Sequence, residues 1–88
     1  MILLVPQGFH LSIVTGMQIR SARAAIRWSA ETLAAKAAVG IQTVKRFESV
    51  EGVPETRKGT LQAIQTALES AGIEFIGSPG NQPGVRLK

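Results

Sequence analysis

The run Ile41-Gln42-Thr43-Val44-Lys45-Arg46 places one carboxamide, one hydroxyl and two cations around a central valine. A glutamine can pair bidentately with adenine, a lysine or arginine can reach guanine, and a threonine can touch a thymine methyl or a phosphate. Val44 and Phe47 lie one helical turn apart, so a helix that turns them inward leaves Gln42, Thr43, Lys45 and Arg46 facing out. Further cations stand upstream at Arg20, Arg23, Arg27 and Lys36. Residues 17–46 therefore hold six basic groups against the single acid Glu31, a local balance of +5. Such a segment points to a polyanion as partner.

Other chemistries find little support in the residues. With no cysteine and a single histidine, His10, the chain lacks thiolate nucleophiles, disulfides and the ligands of a multi-histidine metal site. No paired carboxylates or nucleophile–base set can be assembled, so neither an enzyme nor a cofactor is expected. The Gly77–Gly84 stretch has no Gly-Lys-Ser/Thr after it and reads as a hairpin loop rather than a phosphate loop. Trp28, with no second exposed aromatic beside it, reads as a core or helix-junction residue rather than a stacking platform.

The elements that must position these groups can be read along the chain. Its 88 residues, 44% hydrophobic with a net charge of +4, make one small domain. Residues 1–16 carry no formal charge and read as an N-terminal extension. Met1–Val5 is too short to span a bilayer and has no preceding basic residue, so no membrane association and no secretory signal are expected. The alternation of Phe9, Leu11 and Ile13 suits a short strand. Val14 or Met17 is a candidate initiating residue, which would make the preceding segment an upstream translated one.

From Met17 to Trp28, Ile19, Ala22 and Ile26 recur at helical spacing beside the stripe Arg20, Arg23, Arg27. Ser29 can cap a second helix over 30–38, with Glu31 in its first turn and Leu33, Ala34 and Ala37 inward. Gly40 allows the positive φ or the tight approach that a sharp turn needs, and a third helix is expected over 41–50. Residues 51–59 read as a loop. Thr60 is the expected cap of a fourth helix whose inner face is Leu61, Ile64, Leu68 and Ala71 and whose terminator is Gly72. The tail reads as a hairpin over 73–88 with an eight-residue loop. The expected fold is mainly α, four helices over 17–72 with a small C-terminal β-hairpin.

Taken together, Ile-Arg-x-x-Arg at 19–23, Trp-Ser-x-Glu-x-Leu-Ala-x-Lys-Ala-x-Val at 28–39 and Thr-Val-x-Arg-Phe-Glu at 43–48 resemble a known family. It is the helix-turn-helix family of phage-repressor and xenobiotic-response-element type regulators. The fourth helix followed by Gly-Ile-Glu-Phe-Ile and Pro-Gly-Val-Arg-Leu resembles the tail of a short bacterial subgroup. The resemblance implies a repressor-like DNA-binding domain acting as a sequence-specific transcriptional regulator, expected to be a repressor in a bacterial cytoplasm. Ile41, Gln42, Thr43, Lys45 and Arg46 match the base-reading positions. Ser29, Arg20, Arg27 and Lys36 are the candidate phosphate contacts, and Arg23 with Glu48 matches a structural ion pair.

Two departures stand out. Ala30 replaces a glutamine that grips a phosphate in the family, and Gly40 replaces a Ser or Thr cap. The free edges of a two-stranded hairpin invite pairing, so a homodimer on palindromic double-stranded DNA is expected. The competing reading is a protein-interaction module on the same scaffold, an antitoxin or co-regulator with weak or non-specific DNA binding.

Overall fold

The computed structural model describes residues 14–56, 59–78 and 80–88. The short strand expected over residues 9–14 and the placement of His10 fall outside them, apart from Val14. Four helices, α1 (Gly16–Ala25), α2 (Ala30–Ala37), α3 (Ile41–Glu48) and α4 (Thr60–Ser70), precede an antiparallel hairpin of β1 (Ile73–Ser78) and β2 (Asn81–Leu87). The expected mainly helical architecture with a C-terminal hairpin is the one observed. Among the described residues no helix is long and apolar enough to cross a membrane.

One apolar stripe from each helix meets at the centre. Ile19 and Ala22 of α1, Leu33 of α2, Val44 and Phe47 of α3, and Ile64 and Leu68 of α4 are fully buried. Each large side chain so placed contributes roughly 1.5–3 kcal/mol through the apolar surface it removes from water. Val14, ahead of α1, and Ile73, at the start of β1, close the same core. Pro54 is buried as well, so the irregular segment after α3 folds back onto the helices.

The helix ends explain where simple periodicity misplaces a boundary. The helix expected to reach Trp28 stops at Ala25, because Arg27 adopts a left-handed φ of 61°. The Trp28 N–H then donates to the Arg23 carbonyl at 3.0 Å and the Arg27 N–H to that of Ala24 at 3.1 Å. This paired closure is a Schellman motif, and it terminates a helix whatever its side chains prefer. Helix α2 ends the same way: Val39 N–H donates to Ala34 O at 3.0 Å and Ala38 N–H to Ala35 O at 3.2 Å.

Gly40 shows neither the positive φ nor the tight approach allowed for it: its φ is −73°, a Cβ there would meet only the Thr43 hydroxyl at 3.9 Å, and the left-handed residue of the turn is Ala38, with φ 59°. Helix α3 stops at Glu48 rather than Val50, since the Ser49 hydroxyl and N–H both close onto the Arg46 carbonyl. The cap of α4 is Gly59, at φ 92°, and Thr60 is already helical. Gly72 does terminate α4 in the left-handed region, with φ 105°.

The hairpin departs most from expectation. Instead of an eight-residue loop, pairing continues from Ile73↔Leu87 through Ile76↔Gly84 to Ser78↔Asn81, with a bulge between Ile76 and Ser78. Gly77 makes the bulge possible: it has φ 77°, and a Cβ there would stand 2.7 Å from the Gln82 carbonyl carbon. Turn-rich composition thus marks a bulged strand end as readily as a loop.

Gln18 fixes the hairpin to the helices. Its Nε2 donates to Ile76 O at 3.1 Å and Gly84 O at 2.9 Å, the carbonyls of a cross-strand pair. Its Oε1 accepts from the Thr15 N–H at 2.8 Å while the Thr15 hydroxyl accepts from the Gln18 N–H at 3.0 Å, a reciprocal capping box. One buried carboxamide therefore starts α1 and joins both strands to it.

Candidate nucleic-acid interface

Helix α3 is eight residues long, roughly 12 Å at the usual rise. Val44 and Phe47 are fully buried, and Gln42, Lys45 and Arg46 are exposed. The exposed three lie at spacings of three and four, on one face of the helix. Ile41 and Thr43 are half-buried at its start. The five residues expected to read bases are thus brought together on one short helix, three of them open to solvent.

The orientation of that helix is set from its C-terminal end. Glu48 accepts from Arg23 Nε at 2.7 Å and from Nη2 at 2.9 Å, and Arg23 Nη1 donates to the Trp28 carbonyl at 2.9 Å. The expected Arg23–Glu48 pair is therefore present, and it joins α1, α3 and the residues leading into α2. The Glu48 carboxyl side chain is only 10% exposed and that of Arg23 25%, so the bidentate bond lies in partly dry surroundings. The hydrogen bond to Glu48 raises the Arg23 pKa further above the ordinary arginine value, outweighing the opposing effect of desolvation.

Arg20 lies one turn earlier. It donates to the Glu48 carbonyl and, at 3.3 Å, to the exposed Glu51 carboxylate. Beside it the Gly16 N–H donates to Gly52 O at 2.8 Å, and a Cβ on Gly16 would run into the Phe47 and Val50 carbonyls. The end of α3 rests directly on the backbone of α1.

The expected phosphate contacts are dispersed. Arg27 is exposed in the turn after α1, next to Ser29 at the start of α2. The Ser29 hydroxyl accepts from the Thr32 N–H at 3.0 Å and so is the cap expected of it. Arg20 is engaged at the far end of α3. Lys36 is not placed with these groups: its ammonium stands 5.9 Å from the Trp28 ring centroid and lines a groove against α4. Arg46 lies over the Phe47 ring at 5.1 Å and donates to Glu55 O at 3.4 Å, so its exposed guanidinium is loosely tethered.

Sequence reading singled out neither Gln18 nor the groove beside Lys36. The Thr-x-x-Gln spacing at 15–18 is the local signal for the first. For the second, alanines at 63 and 67 mark a strip of α4 too small to fill its surroundings. Among the described residues no group of three or more His, Cys, Asp or Glu could hold a metal ion. No protein-family model matches the chain, and no curated protein matches it.

Proposed function

We propose that the chain is a sequence-specific double-stranded DNA-binding regulator of the helix-turn-helix kind, acting in the cytoplasm as a repressor. The observation that carries this reading is α3 itself. It buries Val44 and Phe47 while leaving Gln42, Lys45 and Arg46 on one open face. A helix of this breadth fits a major groove about 12 Å wide, and those side chains bear the donors and acceptors that discriminate base pairs there. Arg27 and Ser29, at the turn leading into α2, are the best-placed partners for the phosphate backbone. Pairing of hairpin edges between two copies would present two such helices to a palindromic operator.

The test is selection from a randomised duplex pool, followed by competition across a salt series. The expected outcome is a palindromic motif preferred over random DNA by at least ~10³-fold. Gln42→Ala should abolish preference at particular base pairs, whereas Arg27→Ala should weaken binding to all sequences and flatten the salt slope. Weak, salt-sensitive binding without a motif would reject the reading and leave the protein-interaction module in its place.

A further inference from the structure

Flanking the buried stripe of α4, Gln62, Thr66 and Ser70 are exposed, while Ala63 and Ala67 are half-buried against the edge of the core; Ala71, expected on the inner face, is only half-buried and caps the helix. Beside it stand Trp28 and the last two residues of α2, Lys36 and Ala37. Together they enclose a groove of about 740 Å³, within the range of small-ligand sites. Its floor is alanine methyls, one wall is an indole, and Lys36 is the only charged group lining it among the described residues. No carboxylate pairs with that ammonium among them.

We propose that this groove binds a small planar aromatic carboxylate. Lys36 supplies the counter-charge, and with its ammonium over the Trp28 ring, 5.9 Å from the centroid, an anion paired with it lies beside the indole. Alanines in place of larger side chains leave room for a ring beside the indole. Thr66, Ser70 and Gln62 offer hydroxyl and carboxamide groups to ring substituents. The main chain that carries this wall is held in advance, because Arg23 donates to the Trp28 backbone carbonyl at 2.9 Å, and a site held in advance loses less on binding. The assignment is independent of the DNA-binding reading and is tested without DNA.

Trp28 is the only tryptophan and the chain has no tyrosine, so tryptophan emission comes from a residue that lines the groove. The full chain is titrated with benzoate and, separately, with benzyl alcohol, which keeps the ring and lacks the charge; amide chemical shifts are followed in parallel. Benzoate should give a saturable change centred on Lys36, Ala37, Ala63 and Ala67, and benzyl alcohol should bind at least ~10-fold more weakly, as expected for loss of one favourable ion pair. Lys36→Met should lower benzoate affinity to the level of the alcohol. Ala67→Leu, which fills the floor without touching the charge, should abolish binding of both. No saturable change with benzoate, equal affinity for the two probes, or undiminished binding by Lys36→Met would overturn the proposal. So would protein-concentration-dependent amide shifts centred on Lys36, Ala63 and Ala67 without ligand, which, unlike shifts confined to the hairpin, would mean that a second copy covers the groove.

Discussion

The two ends of α3 are held in opposite ways. At the C-terminal end, Glu48 is buried under Arg23, Arg20 donates to its carbonyl, and Gly16 brings the α1 backbone against Phe47 and Val50. At the N-terminal end, Gly40 supplies no side-chain cap and Gln42 stands in solvent. Polar bonding is concentrated where the helix must be positioned. The first turn is left with amides and side chains open to whatever α3 meets. A short helix presented to a partner gains from this division, because rigidity at one end fixes the direction in which the other projects.

The comparison breaks most visibly at Gly16. Replacing it with alanine places a methyl against two carbonyl oxygens of the backbone following and ending α3. We expect Gly16→Ala to cost about 3 kcal/mol, read as a lower urea midpoint, even though alanine favours helices elsewhere. A cost below ~1 kcal/mol would mean that α1 retreats easily and does not anchor α3.

Glu48→Gln comes next. It keeps the shape of the side chain but removes the charge that accepts two Arg23 bonds in partly buried surroundings. A loss of about 2 kcal/mol is expected, and Arg23→Ala in the same background should cost much less than it does alone. Additive losses would show that the pair is not a unit. The raised pKa of Arg23 sets the sign of any pH effect. Its share of the stability is fully present below the ordinary arginine value and is lost only as alkali passes the raised one.

Sequence patterns reveal the well-held end of this comparison better than the loose one. Val44, Phe47, Leu33 and Ile64 announce their burial by spacing alone, and those positions sit in the core. The Arg23–Glu48 pair is legible because both partners belong to the quoted motif. Backbone conformation is harder to foresee. Left-handed residues fall at Arg27 and Ala38, where no glycine advertises them, because the Schellman bonds at each helix end compensate the steric cost. The reach of the hairpin is likewise hidden, since Gly77 serves a bulge within pairing rather than a loop. Lys36 shows the limit for a site: its charge suggests phosphate, but the packing of α2 on α4 sends it towards Trp28.

Ala38 and Gly40 allow the loose end to be tightened in two smaller steps. Ala38 carries a Cβ at φ 59°, a conformation that glycine adopts without that steric cost. Ala38→Gly should stabilise the protein by roughly 0.5–1 kcal/mol, a gain that thermal denaturation resolves. Destabilisation instead would show that the extra freedom of glycine in the unfolded chain outweighs relief of the left-handed strain.

Gly40→Ser has the smallest expected effect and acts directly on the first turn of α3. A Cβ at Gly40 would meet only the Thr43 hydroxyl, at 3.9 Å, so there is room for a serine. The backbone already has the extended φ −73° and ψ 149° of a capping residue. A serine hydroxyl there can accept from the amide of Gln42, the Thr43 N–H being already bonded to the Gly40 carbonyl at 3.1 Å, which should add a few tenths of a kcal/mol. The informative readout is hydrogen exchange residue by residue. Protection should rise at the first turn of α3 and stay unchanged at Phe47 and Glu48, narrowing the gap between the two ends. If protection rises equally along the helix, its ends are not separately held but open together, and the division of labour along α3 must be abandoned.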